Sequence, residues 1–353
     1  MDNVMRSFIC WGHGREKDFG VLLPMLPKDI DTLLVPFLGS GDILLNAEAK
    51  RYVASDRCDE LVDLWRFVSR PQPVLQDLLS AFLDLWEVMP KLSSAFKSRL
   101  FEVYDTFVMG ALKDYSSMAG AVGRIARELT LPEGFTQCVK CWKEDEWQME
   151  LTHQWILALE AAKPHRMTDS VRFQGRIANA ALEAMFEYMV FLYNRPEVKP
   201  QVKAAFLLWT MSCAKNHLFQ KDEMGEYTPE FCVEEADSAD FLVRMKTLEM
   251  PDFYTRMQQT AFCKKEGLVM LNFEKPGERD FIFADPPCLY GPRKKRGRMF
   301  SNKMQQGLAD YLLNKTRSRW MVILLQRDPV TELYSATGAN CLAMNDELVF
   351  WNY

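Results

Sequence analysis

At 353 residues the chain exceeds what a single hydrophobic core usually takes, so one large or two unequal domains are expected. Its 48% apolar and 26% charged content is that of a soluble globular protein, and no apolar run approaches the ~20 residues of a membrane span. A formal net charge of −5 argues against a uniformly basic nucleic-acid binder; such a role would need the basic residues gathered on one face.

Met1 to Lys17 lacks the basic start and apolar core of a signal peptide, which predicts a cytoplasmic protein. Nine scattered cysteines, an odd number, do not form a disulfide framework. Cys138 and Cys141 form a lone CxxC pair, and with no second pair they read as reduced thiols on a helical segment, so no metal site is expected.

Along the chain, Cys10-Trp11-Gly12-His13-Gly14-Arg15 reads as a tight loop beside a tryptophan. Thr32 to Val35 is a short β-like run, broken by Pro36-Phe37-Leu38-Gly39-Ser40-Gly41. Asp42 is placed to cap the helix that begins with Ile43, Leu44 and Leu45. Tyr52 to Asp56 is a second strand ending in an acid, 17 positions after Gly39. Strand, glycine loop, helix and second-strand acid at that distance match the first half of a nucleotide-binding unit, in which the acid accepts from ribose hydroxyls. Leu61, Leu64, Trp65 and Val68 then repeat with helical period.

From residue 69 to 249 the texture changes to long helical stripes. Leu75, Leu78, Leu79, Phe82, Leu83 and Trp86 form one; Leu182, Met185, Phe186, Met189, Val190 and Tyr193 form another. This predicts a mainly helical inserted domain whose Met and aromatic stripes are core. Gly225-Glu226-Tyr227-Thr228-Pro229 reads as a turn-rich loop or short hairpin. Residues 250 to 353 return to α/β alternation. Leu268 to Phe273 and Phe281 to Ala284 are predicted strands, and Ser301 caps a helix carrying Leu308, Tyr311 and Leu312. Trp320 to Leu325 is wholly apolar, as expected for the middle of a parallel sheet, and Glu347 to Trp351 is a last strand. Asp285-Pro286-Pro287 directly follows the Phe281–Ala284 run. Two prolines cannot continue a central strand, so the Asp285 carboxylate sits on a stiff turn at a strand's C-terminal end, where open α/β sheets bind ligands.

Together Trp11-Gly12-His13-Gly14-Arg15, Pro36-Phe37-Leu38-Gly39-Ser40-Gly41, Asp56 and Asp285-Pro286-Pro287-Cys288 resemble, in order, the motifs of the Dam-like (D12 class) adenine-N6 DNA methyltransferases. The 225–229 stretch and the closing Glu347 to Tyr353 are also similar to parts of that family. The resemblance implies an α/β, Rossmann-like, mostly parallel sheet of a class I methyltransferase at 1–68 and 250–353, with residues 69–249 as a target-recognition insert. It implies S-adenosylmethionine as methyl donor, held by Trp11, Gly14, Arg15, Pro36, Phe37, Gly39, Gly41, Asp56 and Asp285. Catalysis would fall to Asp285, Pro286, Pro287 and Cys288. Double-stranded DNA would be the partner, met by Tyr290, Arg293, Lys294, Lys295, Arg296, Arg298 and Phe300, with no membrane involved and a protein partner open for the insert. A bacterial or phage-infected cell, in restriction-modification or phage defence, is the implied setting. The sequence departs from the pattern at four places: Cys288 replaces the family's stacking tyrosine, Val35 an acid, His13 a glycine and Arg15 a lysine. The alternative reading is therefore an inactive methyltransferase-like protein that binds nucleic acid or a protein partner.

Overall fold

A computed structural model describes residues 4–111, 115–162, 170–287 and 300–353. The chain divides into two compact units, residues 1–71 with 244–353, and residues 72–243. In chain order the elements begin with α1 (Phe19–Met25), β1 (Ile30–Val35), α2 (Asp42–Asn46), β2 (Ala49–Ser55) and α3 (Asp59–Val68). The second unit follows with α4 (Pro73–Val108), α5 (Tyr115–Ala126), α6 (Glu133–Cys138), α7 (Glu144–Ala162), α8 (Ser170–Tyr193) and α9 (Pro200–Cys213). After α10 (Ser238–Met245) come α11 (Pro251–Gln258), β3 (Thr260–Cys263), α12 (Gly267–Glu274), β4 (Phe281–Ala284) and α13 (Asn302–Asp310). β5 (Arg319–Leu325), α14 (Thr331–Ala336), β6 (Asn340–Met344) and β7 (Glu347–Trp351) complete the chain. No helix among the described residues is long and apolar enough to cross a membrane.

The α/β unit is built on a seven-stranded sheet of order β3-β2-β1-β4-β5-β7-β6. β1 to β5 run parallel, and β7 is antiparallel to both β5 and β6. This is a mostly parallel α/β sheet compatible with a Rossmann-like fold. Its central strands are buried on both faces over residues 33–35, 281–284 and 320–325, which is why those stretches are unbroken apolar runs. Leu34, Val53, Ile282, Ala284, Val322 and Leu324 form one core cluster with Trp320, Tyr334 and Phe350.

Three sequence expectations change. Leu268–Phe273 is not a strand but most of α12: Gly267, Met270 and Leu271 are buried at helical spacing, while Val269 and Phe273 are exposed. β5 is not flanked by parallel strands on both sides; its second neighbour is the reversed β7. Asp42 is the first residue of α2, and the cap position belongs to Gly41 in a left-handed conformation, φ +72°. A Cβ at Gly41 would overlap the buried Trp65 indole on α3, so both backbone freedom and the space require glycine there. Ser301 does cap its helix, its hydroxyl accepting from Met304 N.

The helical unit packs α4 against α8 and α9, and α7 against α8. Its interior is aromatic: Trp86 meets Trp209 edge-on at 5.1 Å, and Phe82 stacks on Phe206 at 5.7 Å. Met185, Phe186 and Met189 are fully buried, so the stripe on α8 is core. The loop that follows α9 folds back on itself through a bridge between Lys221 and Tyr227. Asn194 holds it in place, its side chain donating to Tyr227 O and accepting from Tyr227 N, each at 2.9 Å.

Glu187, half-buried on α8, carries a carboxyl pushed up to about 7, first by burial and then by the charges of Glu150 and Glu183. A group whose folded value is raised favours folding while protonated. Wild-type stability from this site therefore falls as pH rises from the ordinary glutamate value of ~4.3 to about 7. Glu187→Gln is expected to raise Tm at pH 8 by roughly 2–4 °C, allowing for solvent screening, and to change nothing at pH 4; equal Tm at both pH values would contradict this. Gly41→Ala is expected to cost about 2–4 kcal/mol in denaturant unfolding, against a contrary result of less than 0.5 kcal/mol.

Candidate functional site

β1 has β2 on one side and β4 on the other, so the sheet's topological switch point lies between β1 and β4. Ligands of open α/β sheets bind in the crevice at the carboxyl ends of the strands there. Leu33 and Leu34 are in register with Phe281 and Ile282. Continued two residues on, that register sets Pro36, just past β1, level with Ala284, the last residue of β4. The Pro36–Gly41 loop and the Asp285-Pro286-Pro287 turn are thus neighbours, although 244 or more residues apart in the chain.

The loop is fixed by its backbone. Leu38 N donates to Ser55 O at 2.9 Å and Gly41 N to Leu38 O at 2.8 Å. Gly39, at φ +52°, donates its N–H to Asp56 Oδ2 at 3.2 Å, and Cys58 N donates to Asp56 Oδ1 at 2.9 Å. Burial pushes the Asp56 carboxyl up, and these backbone donors pull it partly back. The Trp11 ring lies beside Gly39, 3.9 Å from where a Cβ would stand. The first loop is tied to the second through Asp42, whose Oδ2 accepts from Arg15 N at 2.7 Å and from Ser40 Oγ at 2.6 Å. Asp42 is buried, and its Oδ1 has no hydrogen-bond partner among the described residues. Burial raises its carboxyl as well. Gly14 leaves room for this contact; a Cβ there would come within 3.0 Å of Asp42 Oδ2.

Just past the carboxyl end of β4 Arg15 grips Asp285 with both arms of its fork: Nε to Oδ2 at 2.7 Å and Nη2 to Oδ1 at 2.6 Å. The same guanidinium donates to Glu347, Nη1 to Oε2 at 2.5 Å and Nη2 to Oε1 at 3.1 Å, and Nη1 reaches Asp18 at 3.4 Å. The side chains of Arg15, Asp285 and Glu347 are 12%, 23% and 19% exposed. Burial works to lower the Arg15 pKa, but Asp285 and Glu347 together outweigh it and raise it, so the guanidinium stays charged. Glu347 opens β7 opposite Leu325 at the carboxyl end of β5, so this cluster gathers the ends of β4 and β5 and the start of β7.

The sequence-predicted residues fall into three groups. Trp11, Gly14, Arg15, Pro36, Phe37, Gly39, Gly41, Asp56, Asp285 and Pro286 lie in the two loops, at the end of β2 and on the turn after β4; Pro286 is buried and Pro287 exposed. Phe300, expected at the nucleic acid, is instead buried; it meets Phe37 edge-on at 5.0 Å and belongs to the core cluster, so its ring is not available for stacking on a base. Cys288, Tyr290, Arg293, Lys294, Lys295, Arg296 and Arg298 lie outside the described residues. Val35 is buried in β1, so no carboxylate stands at the position where the resembled family has one. Sequence reasoning missed Glu347, Asp18 and the linking role of Asp42. An acid opening an otherwise apolar last strand was the one visible sign of Glu347.

No family model matches the chain. Over 84 residues, 24% of this chain, it is 27% identical to the modification methylase StsI of Streptococcus sanguinis. The matched stretch spans 13% of that protein's length. A partial, distant similarity to a modification methylase therefore accompanies two loops and an Asp-Pro-Pro turn gathered at the switch point of a mostly parallel α/β sheet.

Proposed function

We propose that the protein is an S-adenosylmethionine-dependent methyltransferase acting on the N6 amino group of adenine in DNA. The observation that carries this is the meeting, at one switch point, of a glycine loop, a second-strand carboxylate and a rigid Asp-Pro-Pro turn. The residues fit the cofactor. Gly39, at φ +52°, offers backbone rather than a side chain to the ligand, Gly41 lets the loop turn tightly over Trp65, and Asp56 would accept from ribose hydroxyls. Asp285, Glu347 and Asp18 surround a single guanidinium, which leaves this cluster net negative and receptive to a cationic ligand. When bound, the cofactor supplies an electrophilic methyl group on a sulfonium.

The chain's own residues orient the acceptor. Asp285 and the Pro286 carbonyl accept hydrogen bonds from an extrahelical adenine's amino group, aiming its lone pair along the crevice. That base must leave the duplex stack to reach them. Its stacking partner is not Phe300, whose ring is committed to the core. The charge of the chain divides unevenly: acidic side chains outnumber basic ones in residues 72–243, and basic ones prevail in the α/β unit. Phosphate contact is therefore assigned to the α/β unit, with the basic run 293–298, and a protein partner suits the helical unit better than bare DNA backbone does.

One observation favours a second reading, an inactive methyltransferase-like binding protein: both Asp285 oxygens are already occupied by Arg15. Incubation with labelled cofactor and unmethylated double-stranded DNA separates the two. The first reading expects label in adenine, reduced at least 100-fold by Asp285→Ala. Cofactor binding with no label in any DNA would contradict the first reading and support the second.

A further inference from the structure

Resting on the methyl-transfer reading, we infer that Glu347 is a positioning residue that works through Arg15: it is the anchor on which the guanidinium turns away from Asp285 when the substrate's amino group arrives. The amino group needs an Asp285 oxygen, and in this structure Arg15 holds both. Were Asp285 the only partner of this guanidinium, which is 12% exposed, its release would leave an unpaired buried charge, a costly state. Glu347 removes that obstacle. It already takes both terminal nitrogens, Nη1 at 2.5 Å and Nη2 at 3.1 Å, and Asp18 stands behind Nη1 at 3.4 Å. A small rotation about the Arg15 side chain gives up Nε and Nη2 from Asp285 while the charge stays paired. Glu347 is itself fixed as the first residue of β7, hydrogen-bonded into the sheet opposite Leu325, so the anchor does not move with the guanidinium. The arrangement also accounts for arginine here: a lysine ammonium could not hold two carboxylates in one plane.

The test compares wild type, Glu347→Gln, Arg15→Ala and the double variant. In methyl transfer at saturating cofactor, Glu347→Gln is expected to lower kcat about tenfold, because Arg15 then stays on Asp285. In the Arg15→Ala background the same change is expected to have no effect on kcat. An equal loss in both backgrounds, or no loss in either, overturns the inference. Denaturant unfolding of the same four proteins reads the Arg15–Glu347 contact without any chemistry. Additive effects there overturn the inference alone; coupling with no methyl transfer by any variant means that the functional reading has failed and takes the inference with it. Should Arg15→Ala not fold, Arg15→Lys replaces it in the cycle.

Discussion

The parallel pairing of β1 with β4 is the constraint on which the site depends. These strands are separated by more than 240 residues, yet their register puts the glycine loop and the Asp-Pro-Pro turn at one edge of the sheet. β4 is buried throughout and β1 at every position but Asp31, so a one-residue shift, which turns each side chain to the opposite face, would break the packing on both faces. The helical unit enters the chain between β2 and β3 and has a core of its own, with Trp86, Trp147, Trp155 and Trp209 buried.

Electrostatics then sets what the crevice can do. A single arginine is shared among three carboxylates, and two more acids, Asp42 and Asp56, are buried enough for their carboxyls to be raised. Buried charge of this kind is costly and does not stabilise a fold cheaply. Its concentration at a switch point, with Asp42 Oδ1 unpartnered among the described residues, supports the binding role proposed for these loops. Arg15 also ties the first loop to the second through its backbone N–H on Asp42, so the two loops and the Asp285 turn respond as one unit.

Much of this was legible in the sequence because punctuation bounded it. Proline and glycine end β1, an acid ends β2, and two prolines end β4, so those three strands and their loops could be placed by local chemistry alone. Leu268–Phe273 was misread because a short unbroken apolar run has no period to distinguish strand from helix; the burial of Gly267 against Pro36 and of Met270 and Leu271 decided it. β3 and β6 escaped notice because Thr260–Cys263 and Asn340–Met344 are partly or largely exposed and show no apolar alternation. Phe300 was assigned to nucleic acid from its neighbourhood in the chain, while its environment is the core. Glu347 lies 332 positions from Arg15, and no local pattern could have joined them.

The glycine loop and Asp56 are proposed to hold S-adenosylmethionine. Isothermal titration calorimetry of the cofactor against wild type and Asp56→Ala tests it most directly. One-to-one binding by wild type, weakened about tenfold or more in the variant, is the predicted result, in keeping with the ~1.5–3 kcal/mol of hydrogen bonds to a charged group. No heat of binding to a folded wild-type protein, or equal affinity in the two proteins, would contradict it.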